Sequence, residues 1–227
     1  MFISQEHKEY FESKDSIEKV EAHGDFFIED YPSSTYPYVK FPVEFPHEIM
    51  LEEYNKVKHL LIEHQNRNSN VNPNEICYAN GWYGLTIHGL GPDKLEGNKA
   101  YGVDSTDSYR WFFEEELSST ISFIKSLPYT NFMRIRYMIM KPRSYILPHT
   151  DYNHMWLSPL NLSITNPDGC RFAFAGYEDV PFKPGIGFLM NIGRQHMVYN
   201  DSDEERVHMI IHGKLNSDFI NSIASSL

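Results

Sequence analysis

The chain carries Pro148-His149-Thr150-Asp151, then His196, then Arg206 ten residues after it. Two imidazoles and one carboxylate form a donor set that leaves three positions of an octahedral Fe(II) open, and a trailing guanidinium is a fixed cation suited to a dicarboxylate co-substrate. These types in this order predict an iron oxygenase. A lone His-x-Asp carries little weight, because such pairs recur by chance in surface turns. The weight comes from the whole set falling in one strand-rich half.

Residues two apart on a strand share a face, so His149 and Asp151 can turn donors toward one cation if their strand reaches the rim. Pro148 removes a backbone donor and stiffens the approach. Between His196 and Arg206 the run Asn200 to Glu205 is polar turn composition. It predicts an antiparallel hairpin with Arg206 beside His196, where a guanidinium can hold a carboxylate bidentately. The competing reading pairs Arg206 with Glu204 or Glu205 at the surface. His208 and His212 have the i, i+4 spacing of a helical metal pair but lie in an apolar strand-like run, so they read as wall residues on the side of Arg206. His154, three residues after Asp151, competes for the metal or lines the substrate entrance.

Positioning these groups requires a mainly β body. From Asn131 on, short apolar segments alternate with Pro, Gly and Asn-Asp clusters, which predicts strands near 132–140, 145–149, 160–165, 171–175, 187–191, 196–200 and 206–213. Upstream, apolar spacing predicts a helix from Pro46 through His64 and another over 109–127, ended by Pro128. Strand character covers 76–87, and 92–107 reads as loop. Residues 1–40 read as a short helix and an arm laid over the body.

At 227 residues, 41% apolar, the chain suffices for one core without a composition break, so one domain is expected over 1–227. Its parts are a helical and strand elaboration (1–130), a barrel core (131–213) and a tail (214–227). A formal charge of −11 would repel a phosphate backbone, which argues against nucleic acid. Two cysteines, Cys77 and Cys170, no secretory signal and no apolar run of membrane-spanning length predict a soluble cytoplasmic protein with no membrane partner. Oligomeric state is not encoded in these patterns.

The sequence resembles the aspartyl/asparaginyl β-hydroxylase group of Fe(II)- and 2-oxoglutarate-dependent oxygenases, including bacterial and phage-type relatives such as the proline cis-4-hydroxylases. The likeness covers about residues 130–213. It is carried by Tyr137-Met138-Ile139-Met140-Lys141-Pro142, by Pro148 to Asp151, by Pro167-Asp168-Gly169-Cys170, and by His196 with Arg206. It implies a double-stranded β-helix, the jelly-roll or cupin-like barrel, with N-terminal helices packed on it. His149, Asp151 and His196 match the metal ligands and catalytic set, and Arg206 matches the arginine that grips 2-oxoglutarate. Animal members have glycine at the place of Asp151, a serine at Met138, and an arginine and a histidine near Ser158 and Asn161. Asn161 is therefore the candidate for the metal-proximal carboxylate. Arg136 matches an arginine of the proline hydroxylase relatives, and reads equally as a pocket residue or an ion-paired wall residue.

The resemblance implies a hydroxylase of an amino acid or amino-acid residue that releases succinate and CO2. Retention of Asp151 fits hydroxylation rather than halogenation. Trp82, in the segment Gly81 to Gly89, is a candidate substrate wall or lid, or else part of an edge strand. Arg194, just before His196, could lie over the metal mouth and suit a carboxylate-bearing small molecule or peptide. The reading from another class is a cupin-like isomerase or a non-catalytic binding module. An isomerase has no need of Arg206 at its place.

Overall fold

The computed structural model describes residues 37–64, 79–151 and 159–224, with side chains to 220. It is a curled antiparallel sheet of ten strands with helices on its outer face. The strands are β1 (Tyr38–Lys40), β2 (Ile62–Glu63), β3 (Ala79–Gly89), β4 (Arg110–Trp111), β5 (Tyr129–His149), β6 (Leu160–Ser163), β7 (Cys170–Phe174), β8 (Gly187–Met190), β9 (His196–Asn200) and β10 (Arg206–Leu215). Helix α1 spans His47–Val57, α2 Ser118–Ser126 and α3 Ser217–Ala224. The fold is the expected mainly β jelly roll. Among the described residues no helix is long and apolar enough to cross a membrane.

Period-two alternation explains the layering. On β10, Val207, Met209 and Ile211 join the core under the helices, while Arg206, His208, Ile210 and His212 face a cavity on the other side. On β5, Ile135, Tyr137 and Ile139 pack outward, while Arg134, Arg136, Met138 and Met140 face the cavity. Each buried aliphatic side chain contributes roughly 1.5–3 kcal/mol, so a one-residue slip would expose a whole row and bury two arginines among the helices. The apolar seam of α1 and α2, Met50, Tyr54, Val57, Leu117, Ile121 and Ile124, covers that outer face. Glu53 joins the helices, accepting from the backbone N–H of Ser119 and Thr120 at 2.9 Å each.

β5 closes the barrel. It pairs with β3 along one edge, and along the other with β10 over 129–140 and then β9 over 144–149. The change of partner falls at a bend, where Arg143 has φ 57° and the Ser144 hydroxyl donates to the Lys141 carbonyl at 2.6 Å. Opposite the bend Gly81 has φ 67°, and a Cβ there would meet that of Ser144 at 2.6 Å. Glycine is required at this close approach. The β5–β9–β7 ribbon thereby folds over β5–β10–β6–β8, and Met140, Ile146, Phe172, Phe182, Phe188 and Val198 fill the space between.

Several expectations are corrected. The helix over 109–127 is only Ser118–Ser126, because Arg110 and Trp111 pair with β3 and Phe113 turns the chain at φ 61°. The helix through His64 stops at Val57, and Ile62–Glu63 returns as a strand on β3. The segments 132–140 and 145–149 are one continuous strand. The 196–206 hairpin does not form: β9 and β10 both pair with β5, on either side of its bend. Buried Asn200 fixes that crossing, its Nδ2 donating to the carbonyls of Met140, Lys141 and Glu204. Tyr38–Lys40 of the predicted arm pairs with β8, and the rest of the arm lies outside the described residues.

Candidate metal centre and cavity

His149 ends β5 and His196 begins β9, and the two are register partners. Asp151 follows β5 and is fixed by its backbone N–H to the Ile192 carbonyl at 2.9 Å. One donor atom from each of the three lies within 4.8 Å of the others, an assembly that fits one small cation. The rings of His149 and His196 have centroids 4.3 Å apart.

The ring nitrogens are differentiated by their partners. His149 Nδ1 is 2.7 Å from the Leu147 carbonyl, and His196 Nδ1 is 2.8 Å from that of Arg194. A carbonyl only accepts, so each Nδ1 carries the proton and each Nε2 keeps its lone pair for a metal. Burial, with His149 beside it, lowers the pKa of His196, which therefore stays neutral and ligand-competent. Asp151 sits at the rim with its side chain 52% exposed. Enclosure there raises its carboxyl, but the imidazoles of His149 and His196 when protonated, together with the Arg136 and Arg134 guanidiniums, outweigh that and hold it below its usual value. Two neutral imidazoles and a carboxylate suit Fe(II), with coordination positions left for other ligands.

The three donors open onto a cavity of about 730 Å³ between the two sheet layers. Arg206 lines it, only 4% exposed. Its Nε donates to Asn166 Oδ1 at 3.2 Å, its guanidinium lies 5.5 Å from the Phe182 ring centre, and its buried Nη2 has no partner. Burial lowers its pKa to about 10, which still leaves it charged at neutral pH. The surface pair with Glu204 or Glu205 is not formed; Glu205 bonds Lys141 instead. An orphaned donor on a buried cation is what a bound carboxylate would satisfy. Asn161 also lines the cavity, its Oδ1 accepting from His208 Nδ1 at 2.7 Å.

Trp82 lines the cavity from β3, in register with Met140 and stacked on His64 at 3.8 Å between ring centres. It belongs to a strand flanked by β2 and β5, not to a lid. Arg136 faces the cavity as well, 6% exposed, with Nη1 donating to the Leu95 carbonyl. Arg194 is elsewhere: its guanidinium lies over the Tyr177 ring and donates to that hydroxyl at 3.0 Å, and only its carbonyl serves the centre. His154 lies outside the described residues. Sequence reasoning passed over Arg134, His64 and Glu96, which also line the cavity. Arg134 shares strand parity with Arg136 and was findable; His64 and Glu96 arrive through tertiary contact alone.

Residues 99–214 match the family described as Aspartyl/Asparaginyl beta-hydroxylase. No curated protein matches the chain. Among solved structures, a Pseudomonas putida prolyl-4-hydroxylase is similar at 12% identity and a TM-score of 0.47, over 87% of this chain and 99% of that one. A Burkholderia pseudomallei oxidoreductase of the 2OG-Fe(II) oxygenase family aligns at 11% identity and 0.49, over 87% and 91%. A Trichoplax adhaerens prolyl hydroxylase, in complex with a hypoxia inducible factor oxygen degradation domain peptide fragment, aligns at 12% and 0.48, over 96% and 98%.

Proposed function

The chain belongs to the aspartyl/asparaginyl β-hydroxylase family, and from that premise we propose that it hydroxylates a C–H bond of an amino acid or amino-acid residue, releasing succinate and CO2. It is a 2-oxoglutarate-dependent oxygenase that uses Fe(II). The observation that carries the proposal is the sharing of one cavity by the three donors and a buried Arg206 with an unpartnered Nη2.

In this reading His149, Asp151 and His196 hold the iron, which with 2-oxoglutarate supplies the oxidation of the C–H bond by O2. The Leu147 and Arg194 carbonyls orient the two imidazoles and strengthen them as donors. Arg206 holds the distal carboxylate of the co-substrate, its charge little screened because Phe182 and the barrel wall exclude water. Asn161, its Oδ1 engaged by His208, has its Nδ2 left to donate to the metal-proximal carboxylate. Met140, Phe172 and Val198 make the space between apolar, which keeps the reactive centre dry. Arg136 and Trp82 face the substrate. The whole chain acts as one oxygenase domain whose chemistry resides in 131–213.

The test is incubation of Fe(II)-loaded protein with 2-oxoglutarate and O2, following succinate by NMR and the unfolding temperature with and without 2-oxoglutarate. Succinate formation and a 2-oxoglutarate-dependent rise in stability are expected. Absence of both would overturn the reading.

A further inference from the structure

His208 is a buried titratable group whose outer nitrogen the proposed chemistry leaves idle. It stands two residues after Arg206 on the cavity face of β10, 1% exposed. Phe182 packs against both side chains, its ring centre 4.6 Å from that of His208 and 5.5 Å from the Arg206 guanidinium carbon. The two therefore border one corner of the cavity. Each brings to it a buried nitrogen without a partner, Nη2 from Arg206 and Nε2 from His208. Ser163, opposite His208 in the β10–β6 ladder, has a buried hydroxyl that is likewise unpartnered.

The other imidazole nitrogen places the proton. Nδ1 lies 2.7 Å from Asn161 Oδ1, and an amide oxygen only accepts, so Nδ1 carries the hydrogen and a neutral ring has its lone pair on Nε2. Burial lowers the pKa of His208 well below the ordinary 6.5, and the Arg206 charge adds to this, so the ring is neutral without a ligand. The residues facing it from neighbouring strands are uncharged: Met138 on β5, Ser163 and Asn161 on β6. The ionisable groups elsewhere on the wall are Arg134, Arg136 and His149 on β5, Asp151 after it, His196 on β9 and His212 on β10. Among the described residues none of them bonds His208 Nε2.

A carboxylate seated on Arg206 Nη2 changes that balance. It offsets the guanidinium charge that disfavours an imidazolium, and its oxygens would face the Nε2 lone pair. Acceptor against acceptor is repulsive, whereas a proton on Nε2 turns the same contact into a charge-assisted hydrogen bond. A tautomer exchange would also move the hydrogen to Nε2, but Nδ1 would then need a donor. Its partner is the Asn161 amide, and reversing that amide would turn Oδ1 toward the metal-proximal carboxylate that Nδ2 is proposed to hold.

Resting on the proposed function, we infer that His208 is the second ligand of the distal carboxylate of 2-oxoglutarate, and that each co-substrate binds together with one proton, taken from solvent onto Nε2. Arg206 supplies the standing charge, and His208 supplies the charge that arrives with the ligand. That N–H is the one bond formed. Succinate keeps the same carboxylate, so the proton stays until product leaves. A group that gains a proton with the ligand makes binding tighter as pH falls.

Calorimetric titration of the Fe(II)-loaded protein with 2-oxoglutarate, without O2 and in buffers of different ionisation enthalpy, counts the protons. Uptake of about one proton per co-substrate is expected near about pH 7, with Kd rising up to about 10-fold per unit between about pH 6 and 8. In the zinc-substituted protein, nitrogen NMR is expected to show His208 protonated on Nδ1 alone without 2-oxoglutarate and on both nitrogens with it. His208→Gln cannot take up a proton. It is expected to abolish the uptake and the pH dependence, and to weaken binding about 10-fold or more, the worth of a charge-assisted hydrogen bond. Uptake that persists in His208→Gln overturns the inference. So does an Nε2 that stays unprotonated in the complex, a readout that decides even if the variant fails to fold. Co-substrate binding with heats independent of the buffer sinks this inference alone. Absence of 2-oxoglutarate binding to the iron protein sinks the function beneath it as well.

Discussion

His149 and His196 face each other as partners across the β5–β9 ladder, and each donates its Nδ1–H to the carbonyl two residues before it, Leu147 and Arg194 respectively. The repeated local geometry fixes both tautomers before any metal arrives. Neither imidazole has to reorganise to present Nε2.

Replacement of His196 by Ala removes one of three donors and leaves a gap beside Phe172, whose ring stacks on it at 5.3 Å. Iron content measured by mass spectrometry is expected to fall to background. Succinate formation should drop by more than about 100-fold, beyond the 10- to 100-fold typical of losing an outer-sphere partner. Iron retained at wild-type levels would show that the three donors are not the metal set.

Arg206→Gln keeps polarity and removes the charge that faces the cavity. The Michaelis constant for 2-oxoglutarate is expected to rise roughly 10- to 150-fold, corresponding to about 1.5–3 kcal/mol for a hydrogen bond to a charged group. Iron content should remain. Loss of iron together with 2-oxoglutarate binding would mean that Arg206 serves the architecture instead.

Acid should destabilise the metal-free protein in a defined window. Burial lowers the pKa of His88, His208 and His212, so in the folded state they stay neutral below the ordinary value of 6.5. The unfolded chain takes up these protons first as pH falls through 6.5, and stability is lost from there down toward the folded-state values. Each group contributes a slope of up to about 1.4 kcal/mol per pH unit. Melting temperatures measured from pH 8 to pH 5 should be flat above about 7 and fall below 6.5. A curve that rises toward acid contradicts the assignment.

Glu53→Ala should cost about 1–2 kcal/mol in urea unfolding, since its carboxylate caps the first turn of α2 through Ser119 and Thr120. Burial raises its pKa, and those backbone hydrogen bonds more than offset this and leave it lowered. The Michaelis constant for 2-oxoglutarate should not change, because Glu53 lies on the helical side of the sheet.

Strand period was the legible part of this fold. Arg206, His208 and His212 share a face because the chain alternates there, and the same rule applied to Arg136 and Met138 adds Arg134. The grouping of His149, Asp151 and His196 followed from residue type and strand order. Connections were not legible: the turn after Asn200 reads as a hairpin, yet the chain is carried across β5. The Asn200 side chain bonds the Met140 and Lys141 carbonyls of β5 and the Glu204 carbonyl within the turn. Helical spacing over Tyr109–Leu127 was overridden by pairing of Arg110–Trp111 with β3. Glu96 and His64 have no local signal, since their place depends on where a loop and a strand end meet the wall.

One unbroken strand, Tyr129–His149, carries Arg134 and Arg136 near its start and His149 at its end. The span between them is a property of the backbone, bent at Arg143 and shifted in register against β9 between Ile146 and His149. β5 therefore works as a ruler. Lengthening or shortening it at that bend would shift the donors of the metal centre relative to the two arginines without altering either group, so their separation is written in main-chain distance.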